Sequence, residues 1–239
     1  PGLGLEIGEP AINPAPRRNI INELSPLYSG GLDVTLSLEN GKELAEKTFN
    51  PRVGVVDGVS IIGTTGIIRP FSHDAFIDCI RREMDVAIAM NCERVVVNSG
   101  GKSERFMKTL FPSLPPHAFI HYGNAVGETM EIGKEKNVAR MTIGIMLGKA
   151  VKLAEGNMDT HSHKITVNKE FLKRLAKDAG CSDEALKVID GFNLARELPS
   201  LLSEADASCF FPALLKQCHK HCAEIFPNIL DAVLLSDDG

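Results

Sequence analysis

The sequence has no tryptophan and only two tyrosines in 239 residues, so side chains on which nucleic-acid bases could stack are scarce. It also has no excess of positive charge, because 31 acidic residues outnumber 26 lysines and arginines and give a net charge of −5. Proteins that hold nucleic acid through bulk electrostatics carry a positive charge. We therefore expect no nucleic-acid partner.

Long apolar runs are missing too, since none reaches the roughly 18 residues that a membrane span requires. The proline-rich start of the chain, 1–16, has neither the basic region nor the apolar core of a secretory signal. The six cysteines are scattered, and without an export signal we expect free thiols. These absences, with an ordinary apolar content of 44%, predict a cytoplasmic enzyme or binding protein without a membrane partner.

The first 50 residues resemble part of a domain. Alternating polar and apolar residues at 33–38 predict a half-buried strand, and 41–47 predict a short amphipathic helix. A lone strand and a lone helix bury little apolar surface, so we expect 1–50 to be the remainder of a smaller α+β domain whose first part is absent from this sequence. We expect 51–239 to form an α/β domain that binds cofactor and substrate.

From residue 51 onward, apolar strands alternate with amphipathic helices. Each strand ends in a turn of small residues that leads toward a helix, which is typical of βαβ units. The pattern predicts a mostly parallel, Rossmann-like sheet with flanking helices, followed by a mainly helical last third. The run 53–70 predicts two strands, one at 53–56 and one after residue 60. Further predicted strands lie at 94–98, 118–122, 139–145 and 230–235, the last of them on the sheet edge. Predicted helices include 72–91, 103–110, 125–136 and one that begins at 148.

Small and polar residues collect where the predicted strands end, which is where open parallel sheets bind ligands. Glycine lets a backbone approach a ligand closely, so this edge predicts a site for S-adenosylmethionine, a dinucleotide or a small anion. The alternative is that the glycines only turn the chain. The residues concerned are Gly63, Thr64, Thr65 and Gly66, then Asn98, Ser99, Gly100 and Gly101, then Gly123 and Asn124, and then Gly148 and Lys149.

A second candidate is the run Asp159, Thr160, His161 and Ser162. Its side chains can exchange protons, as catalytic groups do, although the same residues are common where a helix starts. A Ser-His-Asp relay is unsuitable here, because neighbours on one loop rarely hydrogen-bond in series.

Two further patterns have competing interpretations. Cys218 and Cys222 lie one helical turn apart and could hold a metal, but the paired C-x-x-C elements of a structural zinc site are missing, so we expect both to face the core and no protein-bound metal. Arginines and a lysine flank the early loops and could pair with the carboxylates of an acidic substrate, or be ordinary surface charge. They are Arg17, Arg18, Arg52, Arg69 and Lys102.

Several segments together resemble the CbiD family, the cobalt-precorrin-5B C-1 methyltransferases of anaerobic cobalamin biosynthesis. They are GEPAINPAPRR (8–18), NPRVGVVDGVSIIGTTGIIRP (50–70), LGKAVKLAEG (147–156) and THS (160–162), with LDAVLLSDDG closing the chain. The resemblance spans essentially the whole chain. It implies methyl transfer from S-adenosylmethionine to C-1 of cobalt-precorrin-5B, giving cobalt-precorrin-6A, with the cobalt carried by the corrinoid substrate.

Under this resemblance, each candidate residue has an expected role. Gly63, Thr64, Thr65, Gly66, Asn98, Gly100 and Gly101 are the expected cofactor contacts; Arg17, Arg18, Arg69 and Lys149 hold substrate carboxylates; and His161, with Thr160 and Ser162, orients substrate or handles a proton. The chain departs from the family at Ile145-Met146 and His163-Lys164-Ile165. Two alternatives remain, a nucleotide-dependent oxidoreductase or a non-catalytic tetrapyrrole-binding relative, and a homo-oligomer is compatible with all of them.

Overall fold

The protein is described by a computed structural model that covers residues 5–48, 50–61, 73–161 and 166–237. The chain divides into two compact units, Pro1–Met90 and Asn91–Gly239. The division into 1–50 and 51–239 stays a prediction. Across the described residues, no helix is both long enough and apolar enough to cross a membrane.

The described residues of the first unit form three helices and a short 3-10 helix. These are α1 (Pro14–Leu24), α2 (Gly41–Glu46), the 3-10 helix Asn50–Val53 and α3 (His73–Ala89). Helix α3 forms where the sequence predicts it, because Ile80, Met84 and Ala87 recur at helical spacing and are all buried. Helix α2 confirms the short helix predicted at 41–47.

Two predicted strands of this unit are wrong. Residues 33–38 form no strand and are exposed, because alternation stabilises a strand only when a neighbouring strand accepts its hydrogen bonds. The run 53–56 begins in a 3-10 helix, and Gly54 and Asp57 have φ of 81° and 61°, which interrupts an extended backbone. The second predicted strand of this stretch lies outside the described residues, apart from an isolated bridge between Ile12 and Ile61.

The second unit contains a four-stranded sheet, and it confirms the predicted α/β fold. Its strands are β1 (Val95–Asn98), β2 (Phe119–His121), β3 (Arg140–Met146) and β4 (Ile229–Leu235). All pairs are parallel and the order is β2-β1-β3-β4. Strand β1 is buried along its whole length, as expected for a central parallel strand covered by helices on both faces. Strand β4 lies at the sheet edge, as its sequence predicts.

Seven helices of this unit are described, and the longest runs beside the sheet. They are α4 (Gly101–Leu110), α5 (Val126–Glu135), α6 (Leu147–Leu153), α7 (Lys169–Asp178), α8 (Asp183–Gly191), α9 (Leu198–Leu201) and α10 (Glu204–Ile225). One face of α10, continued by the residue after it, is buried at every fourth position: Phe210, Leu214, Cys218, Cys222 and Phe226. Residues spaced by four lie on the same face of a helix, so this face packs against the core along the length of α10.

The strand order creates a crevice at one edge of the sheet. From β1 the chain runs to β2 on one side, and from β3 it runs to β4 on the other side. The loops that follow β1 and β3 therefore diverge, and parallel sheets bind ligands where adjacent loops diverge. The carboxyl ends of β1 and β3 are thus the positions to inspect for a site.

Candidate functional site

The turn after β1 is held by a buried asparagine. Asn98 is fully buried; its Nδ2 donates to the carbonyl of Ile120 at 3.2 Å, and its Oδ1 accepts from the Gly100 N–H at 3.3 Å. The side chain therefore links the end of β1 to β2 and fixes the turn.

Ser103 completes the turn from the first turn of α4. Its Oγ accepts from the Gly100 N–H at 3.1 Å and lies 2.9 Å from the Gly100 carbonyl and 3.0 Å from Ser99 Oγ. One hydroxyl proton serves only one of these acceptors at a time. The sequence analysis did not single out Ser103. The available signal was its place as the third residue of a helix, where a side chain often bonds to the residue just before the helix.

Three glycines border open space at this edge. A Cβ added to Gly100, Gly101 or Gly148 would meet no heavy atom within 4 Å. Gly100 has φ of 155° and ψ of −171°, a backbone region that essentially only glycine adopts. Two of these glycines follow β1 and the third follows β3, so bare backbone lines both sides of the crevice.

Helix α4 is fixed over the strand ends by two further contacts. His121 Nε2 on β2 pairs with a carboxylate oxygen of Glu104. A Cβ added to Gly144 on β3 would lie only 2.7 Å from Met107 Sδ, so α4 packs directly on β3 at this point. These contacts set the position of the Gly100–Gly101 turn relative to the sheet.

Lys149 joins the loops after β2 and β3. Its ammonium group donates to Asn124 Oδ1, and because β1 lies between β2 and β3, the contact passes over the end of β1. Burial lowers the pKa of Lys149 from its ordinary value, the neighbouring charge of Lys152 lowers it further, and the Asp159 carboxylate opposes both. Lys149 is therefore a half-buried cation at the edge of the crevice.

Lys152 connects α6 to the loop that carries the predicted proton-handling residues. It is only 6% exposed, and its Nζ donates to the carbonyl of Thr160 at 3.3 Å. Burial lowers the pKa of Lys152, opposed by Asp159. The Thr160 N–H in turn donates to the Asn124 carbonyl at 3.0 Å. The loop and the two lysines thus form one cluster.

The loop reaches this cluster along the start of α5. The Met158 carbonyl accepts from the Val126 N–H at 3.1 Å and from the Gly127 N–H at 3.2 Å. The His161 N–H donates to Asp159 Oδ1 at 3.1 Å. Of the three residues with predicted catalytic roles, Thr160 is 2% exposed, His161 is half-buried and Ser162 lies outside the described residues.

The predicted substrate-binding arginines belong to the first unit. Arg17 donates to the carbonyls of Ile12 at 3.0 Å and Pro10 at 3.1 Å and pairs with Glu9 at 3.3 Å, so it closes the loop before α1. Arg18 is exposed on α1. The predicted contacts Gly63, Thr64, Thr65, Gly66 and Arg69 lie outside the described residues.

The cysteine pair of α10 faces the core. Cys218 and Cys222 are fully buried, and Cys218 Sγ donates to the carbonyl of Ala150 at 3.3 Å. Burial raises the pKa of both thiols, that of Cys222 to about 12, whereas a metal ligand must be a thiolate. In the part of the chain that the structure describes, no three His, Cys, Asp or Glu side chains are grouped to hold a metal.

The chain matches known proteins along most of its length. Residues 1–70 match the family model CbiD, and residues 159–239 match the model CbiD, C-terminal domain. It is similar to proteins named cobalt-precorrin-5B C(1)-methyltransferase: that of Prosthecochloris aestuarii is 37% identical over 95% of this chain and 63% of the relative, that of Thermus thermophilus 39% over 90% and 59%, and that of Priestia megaterium 37% over 98% and 64%.

This chain therefore spans about three fifths of the length of the curated relatives that it matches. No solved structure matches it.

Proposed function

The chain belongs to the CbiD family, and from this membership we propose that it methylates C-1 of cobalt-precorrin-5B with S-adenosylmethionine as methyl donor. The product would be cobalt-precorrin-6A. The reaction class is the one that the names of its relatives state. The observation that carries the proposal is the crevice between β1 and β3, where the exposed glycine backbone and a lysine pair lie at the same sheet edge.

The exposed glycines support a nucleoside cofactor. S-adenosylmethionine supplies an electrophilic methyl group on a sulfonium when it is bound. Gly100, Gly101 and Gly148 leave the space beside their backbone empty of protein atoms, so the adenosine can approach the backbone amides closely. Asn98 and Ser103 keep the turn rigid before the cofactor arrives, which lowers the entropy cost of binding.

The lysine pair supports an acidic substrate. Corrinoid precursors carry carboxylate side chains, and a half-buried ammonium group binds a carboxylate more strongly than a fully solvated one. Lys149 lies at the rim of the crevice, and Lys152 lies one helical turn behind it. Asp159 balances part of this charge.

The proposed role of His161, with Thr160 and Ser162, is to orient the macrocycle or to accept a proton from it. Methyl transfer from a sulfonium requires mainly that the nucleophilic carbon is aligned and that water is excluded. The bond between the His161 N–H and Asp159 Oδ1 fixes the backbone of this residue, and the Lys152–Thr160 contact fixes the residue before it.

Two measurements test the proposal together. Calorimetry with S-adenosylmethionine and with NADH should show binding of the sulfonium and none of the nicotinamide. Mass spectrometry after incubation with cobalt-precorrin-5B and S-adenosylmethionine should show one added methyl group. Tight NADH binding with no S-adenosylmethionine binding would refute the proposed cofactor, and corrinoid binding without methylation would indicate a tetrapyrrole-binding relative.

A further inference from the structure

The segment Cys218–Cys222 of α10, with the sequence CHKHC, has no assigned role in a metal site or in the proposed reaction. It nevertheless contacts three different parts of the second unit. Cys218 donates to the Ala150 carbonyl of α6 at 3.3 Å. The His219 ring lies 2.9 Å from the Leu230 carbonyl of β4. The third contact is made by His221.

His221 covers the turn at which α6 passes into the loop of the site. A Cβ added to Gly156 would lie 3.4 Å from His221 Cε1 and 3.7 Å from its Nε2, so the imidazole faces Gly156 at the distance of ordinary contact with a methyl group there. The other ring nitrogen, Nδ1, is 3.6 Å from the Glu224 carboxylate one turn along α10. The side chain is 25% exposed, which leaves most of the ring packed.

The turn beneath His221 is built for one conformation. Gly156 has φ of 99°, which side chains rarely adopt. The Gly156 N–H donates to the Leu153 carbonyl at 2.9 Å, and the Asn157 N–H donates to the Lys152 carbonyl at 3.2 Å. Five residues after Gly156 the chain reaches His161, so the direction in which the chain leaves this turn decides where the Asp159–His161 loop lies.

We propose that His221 is a positioning residue for the methyl-transfer site: its largely buried ring, which faces Gly156, restricts the turn that delivers Asp159–His161 to the α6 lysines. The expected effect of His221 on methyl transfer rests on the proposed function. Its expected effect on the position of the 156–161 loop does not. The mechanism is packing, because a glycine turn has no side chain of its own to limit its movement and the ring of His221 occupies the space beside it from a neighbouring helix.

His219 provides a matched control. It is on the same helix, two residues away, and has the same side chain, but its ring hydrogen-bonds to β4. Removing either imidazole should cost α10 a similar amount of packing. Only His221→Ala should change the loop at 156–161.

Amide hydrogen exchange measures that difference directly and requires no substrate. In His221→Ala, amides of 156–161 should exchange about tenfold faster or more, while amides of β1 and β3 keep their protection. His221→Phe, which keeps a flat ring on Gly156, should restore protection to within about threefold of wild type. His219→Ala should leave exchange at 156–161 unchanged. With corrinoid and S-adenosylmethionine, kcat should fall about tenfold or more in His221→Ala and recover in His221→Phe.

The results separate this inference from the proposed function. Unchanged exchange at 156–161 in His221→Ala, or an equal increase in His219→Ala, would overturn the positioning role. Faster exchange at 156–161 that His221→Phe does not restore would also overturn it, because packing of the ring would then not be the cause. If the chain transfers no methyl group at all, the exchange measurements still decide whether His221 holds the loop.

Discussion

A substitution at Gly148 should weaken ligand binding without lowering the stability of the protein. A methyl group at this position meets no protein atom within 4 Å, and alanine suits a helix better than glycine by about 0.5–1 kcal/mol. Gly148→Ala should therefore melt at or slightly above the wild-type temperature, yet bind S-adenosylmethionine at least about tenfold more weakly, because the methyl group occupies space that the cofactor needs. Thermal unfolding and calorimetry measure the two effects.

Gly191→Ala is the matched control for this change. Gly191 is also helical, at the end of α8, and a Cβ there likewise meets no atom within 4 Å. It should leave cofactor affinity unchanged. Equal affinity in Gly148→Ala and wild type would show that the cofactor does not approach this backbone.

Lys149 should control substrate affinity. Lys149→Gln keeps most of the side-chain volume but loses the charge, and a hydrogen bond to a charged group contributes about 1.5–3 kcal/mol, so KM for the corrinoid should rise about 10- to 100-fold. Burial lowers the pKa of Lys149, so its charge is lost as pH rises toward the ordinary lysine value. As the pH is increased, wild-type KM should therefore begin to rise before the pH reaches the ordinary lysine value of 10.5. This rise should be absent in Lys149→Gln.

Lys216→Gln makes the same charge change at an exposed position of α10. If it raised KM as much as Lys149→Gln, the effect would come from net charge and not from a contact at the crevice. Steady-state kinetics over a series of pH values up to the ordinary lysine pKa decide between the two.

The positions of individual site residues were partly predictable. Parallel strands end at one edge, so Asn124 and Lys149 could be grouped there from the sequence, and the structure joins them by a hydrogen bond. The contact between Lys152 and the Thr160 carbonyl could not be predicted, because it depends on a side-chain conformation set by packing. The functional roles of these residues stay predictions.

At the scale of elements, Asp206 joins the starts of α8 and α10. Its carboxylate accepts from the Ser182 N–H at 2.7 Å, from Ser182 Oγ at 2.9 Å and from Ser203 Oγ at 2.6 Å. The backbone hydrogen bond from Ser182, and then those from the Ser203 and Ser182 hydroxyls, lower the pKa of Asp206. Charge on this side chain therefore favours the folded state.

Asp206→Asn should lower the melting temperature by a few degrees at neutral pH, because the amide donates where the carboxylate accepts. A lowered folded pKa means that the stabilisation is complete above the unfolded value of about 4 and is lost as pH falls through the folded value. The difference in melting temperature between wild type and variant should thus be constant above about pH 5 and shrink below pH 4. A difference that persists undiminished at lower pH would contradict the role of the charge.

Whole elements were predicted well where a long apolar pattern had a partner within the same unit. Strands β1 and β3 are buried runs between helices, and α10 has a buried face of five turns. The exposed stretch 33–38 has an equally regular alternation, but alternation describes only what a strand would bury, not whether a neighbouring strand is there to pair with it. The predicted strand at 53–56 does not form because the backbone has positive φ angles there. In the sequence only the glycines and Asp57 indicate such angles.

At the scale of the whole molecule, the two units divide the predicted cofactor contacts. The stretch 63–66 belongs by number to Pro1–Met90, whereas Asn98, Gly100 and Gly101 belong to Asn91–Gly239. The second unit contains all four described strands of the sheet, its buried core and the lysine cluster. A unit of about 150 residues with its own core is large enough to fold alone.

Residues 91–239 expressed alone should therefore unfold cooperatively and bind S-adenosylmethionine within about fivefold of the affinity of the whole chain, since a fivefold change is only about 1 kcal/mol. Circular dichroism and calorimetry on 91–239 and on 51–239 test this and also compare the two divisions of the chain. If 91–239 folds but binds no cofactor while 51–239 binds it, contacts from 51–90 are required, and the glycine-threonine stretch at 63–66 becomes the first place to substitute. If both bind equally, the crevice between β1 and β3 is sufficient for the cofactor.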